Sequence, residues 1–129
     1  MLRVAMTVAC GGALGALSRF AMVTMVQVLV NMRFPVGTLI VNCLGSFLAG
    51  FAMSFFMDRF SVEAESWRLF FVVGFLGAYT TFSSFAWETW VLYSNGQWLS
   101  AVFNILINNV GTLILVIVGI QASRIVGGI

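Results

Sequence analysis

Hydrophobic positions along this chain do not alternate with polar ones; they run together. Four apolar stretches, at residues 4–30, 36–57, 69–93 and 98–120, are separated by short segments that hold most of the charges and the only proline, Pro35. Each stretch reaches the about 20 residues that a helix needs to cross a bilayer, so the pattern predicts four transmembrane helices. Barrel strands would show about ten residues of alternation with a polar inner face, and none of the four stretches reads that way. The connections, at 31–35, 58–68 and 94–97, leave no room for an extramembrane domain or a nucleotide site. The stretch from Arg3 to Cys10 resembles the start of a signal peptide, but hydrophobicity continues to Val30 without a cleavage pattern, so it is read as a retained span.

Composition sharpens this reading. The 129 residues are 61% hydrophobic and 8% charged, with no His, and the mean hydropathy is +1.07. A soluble chain carries roughly 25% charged residues. A net charge of +2 forms no basic patch, so a nucleic-acid partner is not expected. Four acids and no His offer no nucleophile–base pair or metal-ligand cluster, which argues against an enzyme. Cys10 and Cys43 lie inside apolar runs without metal-ligand spacing and read as small membrane-buried thiols. With four spans, Arg3, Arg59, Arg68 and Arg124 share one side and Arg33 stands opposite, a count that favours cytoplasmic termini.

Polar residues are costly in hydrocarbon unless they are paired or face a cavity, so their positions point to function. In the first span Gly11, Gly15 and Arg19 share one helix face, a small-residue packing surface ending in a cation. Arg19 should meet a water-filled cavity, an anion or carbonyls, or else pair with Glu88. In the second span Thr38, Asn42 and Ser46 form a polar stripe beside Gly45 and Gly50, and the fourth repeats the spacing with Asn104, Asn108 and Thr112, flanked by Asn109 and Gly111. Such amides serve either as interhelical glue or as a polar track. In the third span, residues 74–85 place two glycines and four Ser and Thr residues at mid-membrane depth, which invites a helix break. Phe82 and Phe85, three apart, turn the same way, and paired ring edges are electropositive enough to hold a small anion.

The segments GGALGALSR, GTLIVNCLGSFLAG, GFLGAYTTFSSF and AVFNILINNVG, one in each span and in order, resemble the Fluc (CrcB) family of fluoride channels. The resemblance implies an all-α integral membrane protein of four helices, the third broken, working as an antiparallel, dual-topology homodimer in the bacterial inner membrane. It implies passive fluoride export that relieves fluoride toxicity, through two pores per dimer, each lined by both subunits. By motif position, Phe82 and Phe85 resemble the family's aromatic box and Asn42 the polar group facing it, with Ser83 and Ser84 beside the box. Asn104, Asn108 and Thr112 fall where the family's fourth-span polar track lies, although the family often has Tyr or Ser there. Arg19 and Thr38 resemble vestibule positions. Gly77 and Thr80 match the break, where backbone carbonyls of both subunits would hold a structural sodium ion. The four-to-one Arg count departs from the weak bias expected of a dual-topology family.

Fluoride is small and tightly hydrated, so a selective path replaces its water with neutral donors that hold it weakly enough to let go. Amides, hydroxyls and Phe edges are donors of that kind. The competing readings are a proton-coupled exporter of the small multidrug type, for which Glu88 would be the embedded carboxylate, and a non-transporting subunit in which Asn and Gly serve packing alone.

Overall fold

A computed structural model describes residues 1–57 and 62–127, and in it every regular element is helical. Helix α1 runs Leu2–Val30 and α2 Val36–Met57. The third span is a composite of α3 (Val62–Arg68), a π-helical stretch (Leu69–Leu76), the single turn α4 (Gly77–Tyr79) and α5 (Phe82–Ser94). Helix α6 runs Trp98–Gly127. Four helical stretches, Leu2–Val30, Val36–Phe56, Ala64–Ser94 and Trp98–Gly127, are long and apolar enough to cross a membrane.

The boundaries follow local chemistry. Helix α1 ends where Asn31 turns left-handed (φ 45°) and donates its N–H to the Gln27 carbonyl, a conformation that a short polar side chain tolerates. Pro35 then starts α2, its carbonyl accepting from Leu39 N–H at 3.2 Å. Gly96, at φ +76°, closes the tight turn between α5 and α6.

Two boundaries differ from the sequence reading. Part of the expected 58–68 connection is helix α3, which feeds directly into the third span, and α6 continues seven residues past Ile120. No proline or glycine pair interrupts 121–126, and Ser123 is buried, so packing carries the helix beyond the end of its apolar run. Arg59, used in the Arg count, lies outside the described residues.

Glycines set how closely the helices approach. Gly11 and Gly15 of α1 lie against the Phe70 and Phe75 carbonyls of the π-helical stretch, and Gly74 opposes Gly11 so closely that a Cβ there would stand 2.7 Å from the Val8 carbonyl. Gly50 meets the Val116 carbonyl while Gly119 meets that of Phe47, which locks α2 and α6 together on reciprocal contacts. These are the small-residue interfaces that pack helices where no hydrophobic effect drives them.

Candidate functional site: a cleft at a broken helix

The third span breaks at two threonines. Thr80 (φ −75°, ψ 155°) and Thr81 (φ −150°, ψ 114°) are extended, whereas Gly77, which the sequence reading placed in the break, is still helical (φ −61°, ψ −32°). Asn42 explains the position. Its Oδ1 accepts from Thr81 N–H at 2.8 Å and its Nδ2 donates to the Thr81 carbonyl at 3.1 Å, so one amide side chain satisfies both backbone groups of the extended residue. Gly45, nearly one turn along α2, lies against the Thr80 methyl and leaves no room for a Cβ. The Thr81 hydroxyl then caps α5, accepting from Ser84 N–H at 3.2 Å and donating to Ser84 Oγ at 3.0 Å.

This arrangement strips two carbonyls of their helical donors. In an unbroken helix Thr81 N–H would serve the Gly77 carbonyl and Ser84 N–H that of Thr80; here they serve Asn42 and the Thr81 hydroxyl instead. The oxygens of Gly77 and Thr80 are therefore of the kind a hard cation takes from unwound helix, and the residues fit the sodium site that the resemblance implies.

Beside the break opens a cleft of about 380 Å³. Asn42, Ser46, Gly77, Thr80, Thr81, Phe82, Phe85, Asn108, Asn109 and Thr112 line it together with apolar residues of α2, the π-helical stretch and α6, and every described lining residue is uncharged. Phe82 and Phe85 meet edge-on, centroids 5.3 Å apart and planes at 64°. They do not share an exposure: Phe85 is 7% exposed and Phe82 73%.

From the cleft a chain of hydrogen bonds runs inward. Asn42 Nδ2 donates to Asn108 Oδ1 (3.1 Å), Asn108 Nδ2 to Asn104 Oδ1 (2.8 Å), Asn104 Nδ2 to Thr89 Oγ1 (2.9 Å), and Thr89 Oγ1 to the Phe85 carbonyl (2.7 Å). The three amides thus point one way, and each polarises the next. Thr112 donates to the Asn108 carbonyl at 2.6 Å.

Of the residues singled out from sequence, the cleft gathers Asn42, Gly45, Ser46, Gly77, Thr80, Phe82, Phe85, Asn108, Asn109 and Thr112. Asn104 is fully buried behind it, and Ser83 and Ser84 flank the α5 N-terminus without lining it. Thr38, expected on an open vestibule, is 2% exposed and donates to Glu88 Oε1 at 2.6 Å. Glu88 Oε2 is buried without a hydrogen-bond partner, so the pairing of Glu88 with Arg19 is not made; Arg19 is half-buried on α1. Sequence reasoning missed Thr81 and Thr89. Thr81 stood in the hydroxyl run without a reason to prefer it over its neighbours, and Thr89 gave only a weak signal, four residues beyond Phe85 and one beyond Glu88.

Residues 6–120 match the model of the family described as CrcB-like protein, Camphor Resistance (CrcB). The chain belongs to the CrcB family. A relative in Legionella pneumophila (strain Lens), named fluoride-specific ion channel FluC, is 51% identical over 121 residues, covering 94% of this chain and 90% of its own. Relatives of the same name in Nitratiruptor sp. (43% identical; 82% of this chain, 80% of theirs) and Thermococcus kodakarensis (42%; 95% and 98%) extend the match. With four helices fit to span a bilayer and CrcB relatives named as channels, this is a multi-pass membrane protein and not an enzyme.

Proposed function

We propose that the chain conducts fluoride passively across a bacterial inner membrane and so relieves fluoride toxicity. The observation that carries this is the cleft at the helix break: neutral amides, hydroxyls and Phe rings at membrane depth, with no charged group among its described lining. A cation in the narrow path would hold fluoride too tightly to release it, while neutral donors replace hydration and still let go. Three kinds of partial positive charge are at hand. The α5 N-terminus opens at Phe82, Ser84 keeps its own hydroxyl proton while accepting from Thr81, and the edges of Phe82 and Phe85 are electropositive. Arg19 acts at the mouth, drawing anions through its field.

The working unit in this reading is an antiparallel homodimer, inserted in both orientations, with two pores each lined by both subunits. Support comes from the exposed Phe82 ring and the exposed Asn109 amide beside the cleft, which a second copy would cover. The Gly77 and Thr80 carbonyls of both copies would hold the structural sodium ion, which ties the broken helices across the dimer axis and biases the interior toward anions. An exporter that exchanges protons through Glu88 gains no support, since Glu88 is tied to Thr38 and the relatives are named channels.

The test is efflux from liposomes that hold fluoride and chloride, read with ion-selective electrodes. Vesicles with purified protein should release fluoride and keep chloride. Retention of fluoride at the rate of empty vesicles overturns the reading.

A further inference from the structure

The chain of amides is anchored at both ends, and the two anchors differ in kind. At the cleft, Thr81 N–H can only donate and the Thr81 carbonyl can only accept, so Asn42 has one permitted orientation. Its remaining proton then obliges Asn108 to present Oδ1, Asn108 Nδ2 obliges Asn104 to do the same, and Asn104 Nδ2 must find an acceptor at the far end. That acceptor is Thr89 Oγ1, free to accept because its own proton goes to the Phe85 carbonyl one turn back.

We infer that Thr89 is a positioning residue of the conduction path, acting through Asn104 and Asn108 to keep the N–H side of the cleft amides fixed. This rests on the channel reading above. Asn104 is fully buried, so no water can replace the acceptor. Without Thr89 Oγ1, Asn104 Nδ2 becomes a buried donor without an acceptor, and a turn of Asn104 would only set its nitrogen against Asn108 Nδ2, which also donates to the Asn104 carbonyl at 3.2 Å. Asn104 then has no satisfied orientation, and the cost falls on the amide chain that ends at Asn108 and Asn42 inside the cleft, at the point an anion must pass.

Position 89 therefore needs an oxygen, not a shape. Thr89→Val keeps the branched shape and removes the oxygen; Thr89→Ser keeps the oxygen and removes the methyl. In fluoride-loaded liposomes Thr89→Val should release fluoride at least about tenfold more slowly than wild type, with Thr89→Ser within about twofold of it. Should Thr89→Val not elute as folded protein, Thr89→Ala removes the same oxygen and is read against the same thresholds. An oxygen-free variant within about twofold of wild type, or a Ser variant as slow as the Val one, overturns the inference and makes residue 89 a packing position. Wild-type vesicles that retain fluoride overturn the channel reading itself, and the wild-type arm alone shows it.

Discussion

Asn42 has two amide protons, and both are in use, one on the Thr81 carbonyl and one on Asn108. An anion that reaches this side chain must displace one of those bonds, so Asn42 acts first as the clamp of the break and only in exchange as a donor. Asn42→Asp should accordingly do more than add charge. It replaces Nδ2 by one oxygen that faces both the Thr81 carbonyl and Asn108 Oδ1, which leaves buried acceptors facing each other. Fluoride release from liposomes should fall to the empty-vesicle rate, and a variant that conducts as wild type would show that neither role belongs to Asn42. The ring at position 85 makes a separate demand. Phe85→Ile keeps an apolar bulk against Phe82 but removes the electropositive edge; a contact of this kind is worth about 0.5–1.5 kcal/mol, so release should slow by roughly two- to thirteenfold. Release at the wild-type rate would leave the ring with a packing role only.

Between elements, the close approach of α1 to the π-helical stretch holds one side of the broken span in place while Asn42 and Gly45 hold the other. A Cβ on Gly15 would run into the Phe75 carbonyl, a backbone atom that cannot swing away, whereas a Cβ on Gly12 would lie 3.9 Å from the nearest atom, the Gly74 carbonyl. Gly15→Ala should lower stability by about 1–3 kcal/mol and Gly12→Ala should be nearly neutral, as thermal unfolding in detergent would show. This contrast marks how far the elements were legible. Four spans, the small-residue face of α1 and the polar stripes of α2 and α6 could all be read from spacing, because run length and a 3.6-residue period survive into the structure. The π-helical widening could not, since over eight residues its period departs too little from that of an α-helix to alter which positions look apolar. The site of the break was legible in part: of Gly77 and Thr80, where it was expected, Thr80 is extended and Gly77 is helical, and Thr81 completes it. Backbone freedom at glycine suggests a break, but the competition for Thr81 N–H decides it, and Asn42 enters that competition from 39 residues away. Thr38 misled for the same reason: its place in a polar stripe was plain, but its partner Glu88 lies 50 residues along the chain.

At the scale of the whole molecule, a cleft with exposed Asn109, whose Nδ2 donates to the Ile105 carbonyl, and an exposed Phe82 lies on the flank of a single chain, where lipid would otherwise meet a polar amide. In the proposed dimer a second copy would remove that cost, and it would supply a second set of Gly77 and Thr80 carbonyls only if the two breaks came together. Both requirements fit a pair whose members cross the membrane in opposite senses, and the Arg count is what argues against it. Arg3, Arg68 and Arg124 stand at one end of the helices and Arg33 at the other, an asymmetry that by itself would insert every copy the same way. The margin is small, however, and Glu65 in α3 shares the richer side with Arg68, although acids count for little in setting orientation. The turn between α5 and α6 can report the outcome. With Cys10 and Cys43 replaced by Ser, an Asn95→Cys variant places one thiol at that exposed turn. A membrane-impermeant maleimide applied to right-side-out cells should label about half of the copies, and inside-out vesicles should label the remainder, if insertion is dual. Labelling of all copies from one side would instead show that the Arg asymmetry governs, and the pair that covers the cleft would then have to be parallel.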